Sequence, residues 1–166
     1  MRRPEEGVRY ECSRSMKTFS ITIDIKAPAQ RVWAVLSDVE GWPDWTPSVK
    51  RVERLDAGPL TVGGRARLRQ PKLRPAIWQI TKVEKGSSFT WVTRSPGLLV
   101  TAHHVIEPIK KGNASRVTLS VEFSGLVGPL VAWLTRGLNQ RYLGLEAAGL
   151  KRRSEQETRL ADDASM

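Results

Sequence analysis

Hydrophobic and polar residues alternate over much of the chain, and a period of two predicts β-strands. In "TFSITIDIK", residues 18–26, the apolar Phe19, Ile21, Ile23 and Ile25 fall on one side. Similar stretches bounded by turn residues follow at 48–58, 62–72, 75–86, 88–95, 98–109 and 115–125. Because consecutive strands joined by short turns pair antiparallel, the pattern predicts an antiparallel sheet.

Two other stretches show the three-to-four-residue spacing of helices. In "APAQRVWAVLSDVEGW", Pro28 suits a first helical turn, and Gly41 and the following Pro43 end the helix. The segment "DWTP" adds at most one short turn. From Pro129 to about Ser154 we predict a long C-terminal helix that packs on the sheet. Its expected apolar stripe is Val131, Leu134, Leu138, Leu145 and Gly149.

Length and composition indicate one globular domain. The chain has 166 residues, 40% of them hydrophobic, and no run of about 18 apolar residues that would predict a transmembrane helix. The N-terminus lacks the apolar core of a secretory signal, and the single Cys12 has no partner for an internal disulfide. We therefore expect a cytoplasmic protein with one domain over residues 17–155 and flexible tails at 1–16 and 156–166.

The formal net charge of +10 raises nucleic acid and anionic membranes as partners. In "GRARLRQPKLR", however, Arg65, Arg67 and Arg69 alternate with other residues, which is typical of a solvated strand face. No aromatic residue for base stacking lies between Arg65 and Arg74, so we predict no specific nucleic-acid binding. Transient contact with an anionic membrane stays open through the apolar segment "LVGPLVAWL", residues 126–134.

Six tryptophans stand out in a chain of this size. Trp33 lies beside the apolar stripe of the first helix and is expected in the core. Trp42 and Trp45 flank a helix-to-strand junction, where they either pack only or shape the rim of a pocket. Trp78 and Trp91 fall on the inward side of neighbouring strands, where they either fill the core or wall a cavity.

The two histidines are adjacent, so a strand directs them to opposite faces. If Ile106 points inward, Val100, Ala102 and His104 do so as well, and His103 points to water. An inward His104 is open to three roles: a core residue, a hydrogen-bonding partner of a ligand, or a general base.

The order of elements and the motifs "ITIDIKAPAQRVWAVLSDVEGWPDW", "GSSFTWVTRSPG", "HVIEP" and "RVTLSVEFSG" resemble the SRPBCC superfamily of START-like, helix-grip proteins, including polyketide cyclase/dehydrase-type members. The resemblance runs from about Thr18 to Glu155. It implies an α+β fold in which a seven-stranded antiparallel sheet, with two short helices after the first strand, curls around a long C-terminal helix and encloses an apolar cavity.

These observations predict a protein that binds a small hydrophobic ligand (a lipid, an aromatic or a polyketide-like molecule) as a carrier or sensor. The alternative is a cyclase/dehydrase-type enzyme that uses the same cavity. The number of inward titratable groups separates the two, and the single candidate, His104, favours binding. Metal-ligand spacings, nucleotide-binding loops and nucleophile motifs are absent, so no metal or cofactor is expected. The expected ligand-binding residues are Trp78, Ile80, Phe89, Trp91, Thr93, Ala102, His104, Leu119, Leu134 and Leu138.

Overall fold

The computed structural model describes residues 16–163, with side chains to residue 156. Within this range the strands are β1 (Lys17–Ile25), β2 (Arg51–Arg54), β3 (Arg65–Arg69), β4 (Ala76–Glu84), β5 (Ser88–Ser95), β6 (Leu98–Ile109) and β7 (Ala114–Ser124). The helices are α1 (Ala29–Ser37), α2 (Trp42–Trp45), α3 (Gly128–Leu134) and α4 (Arg136–Asp163), with short 3-10 turns at Val39–Gly41 and Lys110–Gly112. The predicted N-terminal tail lies outside the described residues except for Met16.

The seven strands form one sheet in the order β1-β7-β6-β5-β4-β3-β2, and every neighbouring pair is antiparallel. Strands β1 and β2 therefore lie at opposite edges, and α1 and α2 connect them. Helix α4 contacts β1, β7, α1 and α2. The predicted helix-grip arrangement is confirmed.

The predicted single C-terminal helix is wrong at Thr135, which separates α3 from α4. Its backbone leaves the helical region, with φ −102° and ψ 7°, and its hydroxyl donates to the Val131 carbonyl at 2.7 Å. The Thr135 backbone N–H donates to the same carbonyl at 2.9 Å, and such back-bonding by a threonine hydroxyl often bends a helix. At the other end α4 continues to Asp163, so the backbone of 156–163, expected in the C-terminal tail, is helical. Residues 164–166 lie outside the described range.

The tryptophans after β1 fasten the helices to the sheet. Trp42 is 1% exposed, and its indole N–H donates to the Leu36 carbonyl at 3.0 Å. Trp45 is buried against Gly149 of α4, where an added Cβ would lie 3.0 Å from the Trp45 carbonyl carbon and would clash with its oxygen. Trp33 packs edge-on to Phe89 at a centroid distance of 6.4 Å, as expected for the core.

The exposed face of β3 is as predicted. Arg65, Arg67 and Arg69 are exposed, while Ala66 and Leu68 between them are buried. Arg67 lies 3.4 Å from Glu53 in an exposed ion pair. Among the described residues, the helices are all too short or too polar to cross a lipid bilayer.

Candidate ligand-binding site

A cavity of about 260 Å³ lies between the concave face of the sheet and the helices α3 and α4. Its volume is close to the lower end of the range for small-molecule sites. The sheet wall, meaning the cavity-facing residues of β4 to β7, is made of Ala76, Trp78, Trp91, Thr93, Val100, Ala102, His104, Leu119, Val121 and Phe123. This wall is largely apolar and strongly aromatic.

Aromatic rings in and behind the sheet wall hold one another in place. Trp78 and Trp91 are 5.3 Å apart between ring centroids, and Trp42 meets Trp91 edge-on at the same distance. Phe89 stacks on His104 at 4.2 Å with an interplanar angle of 10°. Because Trp42 lines the cavity while remaining buried, it belongs to the wall and does not form an exposed rim.

The opposite wall, which we call the helix wall, combines the apolar Val131 and Leu143 with four polar side chains. The polar ones are Thr135, Asn139, Tyr142 and Glu146, which follow one another at spacings of four, three and four residues. The Asn139 amide donates to the Thr135 hydroxyl at 2.9 Å. This spacing keeps all four side chains on one side of a helix.

His104 and Glu146 meet where the two walls join. His104 Nε2 lies 3.2 Å from Glu146 Oε1, and both side chains are buried. The geometry at Oε1 does not meet that of a hydrogen bond, and neither Oε1 nor His104 Nδ1 has a hydrogen-bonding partner among the described residues. Buried polar atoms without partners are rare and costly, so this pair keeps hydrogen-bonding capacity beside an apolar space.

One end of the cavity is bordered by the loop after β3 and by the turn between β5 and β6. Gln70, Leu73 and Arg74 line it from the loop, and Ser95 and Leu98 line it from the turn. We call this end the mouth.

Tyr142 ties the helix wall to the mouth, because its hydroxyl donates to the Pro71 carbonyl. Burial raises the pKa of Tyr142 above its ordinary value, with a smaller opposing effect of Arg141. The phenol therefore remains a neutral donor at physiological pH.

Six of the ten expected site residues border the cavity: Trp78, Trp91, Thr93, Ala102, His104 and Leu119. Ile80 and Phe89 are buried in the core outside the lining, where Phe89 supports His104. Leu134 and Leu138 do not border the cavity, and Leu134 is 66% exposed. Within the expected stripe, Val131 borders the cavity and Gly149 packs on Trp45, whereas Thr135 and Asn139 line the cavity in place of Leu134 and Leu138.

The strand parity around the histidines agrees with the prediction. His104 is 4% exposed on the inner face, and Val100 and Ala102 share that face. His103 also borders the cavity, but its side chain lies on the other face, where its Nδ1 is 3.1 Å from the Thr90 hydroxyl. Sequence reasoning missed Glu146 and Tyr142, whose helical spacing from Thr135 and Asn139 was the available signal. Within residues 16–163, no cluster of three or more His, Cys, Asp or Glu is placed to hold a metal ion.

A sheet gripping a terminal helix around a cavity is the architecture of START-like proteins, and solved structures agree. The chain is similar to the Zhui aromatase/cyclase of a Streptomyces species, with a TM-score of 0.73 and 18% identity over 89% of this chain and 98% of that one. Norcoclaurine synthase of Thalictrum flavum is similar with a TM-score of 0.70 and 15% identity, over 88% of this chain and 98% of that one. A START superfamily protein of Mycobacterium smegmatis is similar with a TM-score of 0.64 and 17% identity, over 82% of this chain and 97% of that one.

The family is defined by sequence as well. Residues 16–155 match the model of the family described as polyketide cyclase / dehydrase and lipid transport, and the chain belongs to this family. The predicted membership of the SRPBCC superfamily is therefore confirmed. No curated protein matches the chain.

Proposed function

We propose that the protein binds a small, flat and mostly apolar molecule that carries an oxygen function, in the cavity between the sheet wall and the helix wall. Trp78 and Trp91 offer ring faces to such a molecule, and apolar surface covers most of the remaining sheet wall. Aromatic ligands gain from both burial and ring contacts.

The observation that carries this proposal is the buried His104–Glu146 pair. Its two atoms without hydrogen-bonding partners leave polar capacity at one place in the cavity, which favours a ligand with a hydroxyl or carbonyl group there. A purely hydrocarbon ligand would leave that capacity unused, at a cost of about 1–3 kcal/mol.

The same pair supports a second function, proton transfer to or from the bound molecule. Glu146 and Tyr142 add two titratable groups to the expected His104 on the walls of the cavity. We propose that the pair removes a proton from the carbon next to a ligand carbonyl; the C–H electrons then form the enolate, which is reprotonated. Enolisation is the elementary step of aldol cyclisation, and it suits a cyclase/dehydrase-type reaction.

Binding is tested by calorimetric titration with β-naphthol, a flat bicyclic phenol. We expect saturable one-to-one binding that is weakened about tenfold by Trp91→Ala, because a ring face is lost. Trp133→Phe is the matched control, since this tryptophan is 72% exposed and does not line the cavity. Absence of heat with the wild type, or an equal loss in both variants, would contradict the proposed site.

Proton transfer is tested with β-tetralone, a bicyclic ketone whose exchange of α-protons for deuterium is followed by NMR. We expect the wild type to accelerate the exchange and His104→Ala and Glu146→Gln each to reduce it by about a hundredfold or more. His103→Ala is the control on the same strand and should exchange like the wild type. Tight binding of β-naphthol without accelerated exchange would make the protein a carrier or sensor and not an enzyme of this kind.

A further inference from the structure

We propose that α3, together with the residues just before it, docks the protein on the surface of an anionic lipid bilayer. The proposal rests on the proposed function and deepens it, because it names the surface from which an apolar ligand enters the cavity. Three observations support it: exposed apolar side chains, a rigid connection to the mouth, and positive side chains at the mouth and directly after α3.

The outer side of α3 exposes more apolar surface than any other described segment of comparable length. We call Leu126, Leu130, Trp133 and Leu134 the α3 patch; their exposed fractions are 95%, 57%, 72% and 66%. The other five tryptophans are buried or half-buried. Contiguous apolar patches of this kind mark interaction sites, and tryptophan and leucine on one side of a helix are typical of segments lying in a membrane interface.

The patch is held rigidly beside the mouth. On the inner side of α3, Ala132 is 1% exposed and Val131 lines the cavity. The Val127 amide donates to the Gly97 carbonyl at 3.0 Å, which fastens the helix to the turn between β5 and β6. The outward direction of the α3 patch is therefore set by the fold. One face of α3 borders the cavity, and the other is exposed to solvent.

Positive side chains lie at the mouth and directly after α3, and we call them the positive rim. Lys72 and Arg74 are exposed in the loop after β3, Arg94 is exposed near the end of β5, and Arg136 begins α4. None of these four forms an ion pair within the described part of the chain. No aspartate or glutamate occurs between residues 123 and 145 or between residues 70 and 75. A second copy of the chain would bring two positive rims together, whereas anionic headgroups neutralise the rim.

The proposal is tested by flotation with vesicles of phosphatidylcholine alone and of phosphatidylcholine mixed equally with phosphatidylglycerol. We expect binding to the mixed vesicles, loss of binding in added salt, and little binding to phosphatidylcholine alone. Leu130→Ser combined with Trp133→Ser should reduce partitioning by about tenfold or more, because the inserted apolar side chains are lost. Brominated lipids should quench the fluorescence of Trp133.

The matched control is Val62→Ser combined with Ile77→Ser, which removes exposed apolar side chains outside the patch. It should bind vesicles like the wild type. Equal binding to both vesicle types, wild-type binding by the α3 variant, or no vesicle binding at all would overturn the proposal. Sedimentation velocity gives one more outcome that would overturn the proposal. In that outcome the wild type binds no vesicles but forms concentration-dependent dimers, and the α3 variant forms none.

This test is independent of the proposed ligand. The α3 variant should bind β-naphthol in solution like the wild type, since its substituted residues do not line the cavity. A wild type that binds anionic vesicles but not β-naphthol would retain the docking surface and contradict the proposed function. A wild type that binds β-naphthol but not vesicles would retain the proposed function and overturn the docking surface.

Discussion

The two walls of the cavity differ in their balance of apolar and polar side chains. The sheet wall carries ring and aliphatic surface that continues into the core, with Trp91 touching Trp42, Trp78 and Phe89. The helix wall carries four polar side chains on successive turns of α4 and its junction with α3. Most of the aromatic surface of the cavity therefore lies on the sheet side and most of its hydrogen-bonding groups lie on the helix side.

This comparison distinguishes side chains that stabilise the fold from side chains that mainly face the cavity. Rings in the sheet wall contact residues throughout the core, so the same atoms that would hold a ligand also hold the sheet. The polar groups of the helix wall mostly face the cavity, and Glu146 with His104 is incompletely hydrogen-bonded. Functional sites commonly retain such unfavourable arrangements at the expense of stability.

The largest effect is expected for the sheet wall. Trp91→Ala should lower the free energy of unfolding by about 3–5 kcal/mol, because it removes a ring that is 2% exposed and leaves a cavity behind. Chemical denaturation followed by circular dichroism measures this change. A loss below about 1 kcal/mol would mean that this wall contributes little to the core.

The position of α4, which carries most of the helix wall, is tested through its contact with α2 at Gly149. Gly149→Ala should lower the free energy of unfolding by about 1–3 kcal/mol, since the new methyl group meets the backbone of Trp45 and forces α4 away. Gly144→Ala is the matched control in the same helix; nothing lies within 4 Å of its added methyl group. It should raise stability by up to about 1 kcal/mol. Similar effects of both substitutions would contradict the close contact.

The register of the helix wall was harder to predict than that of the sheet wall, for a geometrical reason. A strand offers two faces, so placing Ile106 inside also placed His104, Ala102 and Val100 correctly. A helix offers a continuous range of directions, and Leu138 looked more suitable for the interior than Asn139. Hydrophobic periodicity does not identify the polar residues of the helix wall, because they face an open cavity and not the packed core.

The junction at Thr135 could not be found by periodicity either. Val131 and Leu134 fit a continuous helix, and the break depends on a hydroxyl bond and on how α3 packs over β7. The strand order, by contrast, followed from short turns between successive strands. The sequence therefore predicted the fold and half of the candidate site, and the missing half lies on α4.

Replacing the buried carboxyl group should affect stability in the opposite direction. Glu146→Gln keeps the size of the side chain and removes a group that is buried without full hydrogen bonding. We expect the free energy of unfolding to rise by up to about 1 kcal/mol, because a neutral amide costs less to bury than an incompletely hydrogen-bonded carboxyl group. Chemical denaturation at neutral pH measures it, and a loss of more than about 2 kcal/mol would show that the pair with His104 serves stability.

The smallest effect concerns pH and Tyr142. Because burial raises its pKa in the folded protein, its contribution to stability is fully present below about pH 10 and is lost as the pH rises through the folded-state pKa. Tyr142→Phe should make the alkaline decline of stability shallower. Its hydrogen bond to Pro71 is also lost, at a cost of about 1 kcal/mol at neutral pH. Thermal unfolding across the alkaline range checks both effects, and an unchanged alkaline slope would count against the buried position.

The central claim, that the cavity recognises an oxygen function through the His104–Glu146 pair, is tested most directly by comparing two ligands of the same shape. Calorimetry gives the ratio of the Kd of β-methylnaphthalene to that of β-naphthol for the wild type and for Glu146→Leu. We expect the wild type to prefer the hydroxyl compound by about tenfold, close to the value of one hydrogen bond. In the variant we expect this preference to fall to about one. An equal ratio in both proteins would contradict the claim.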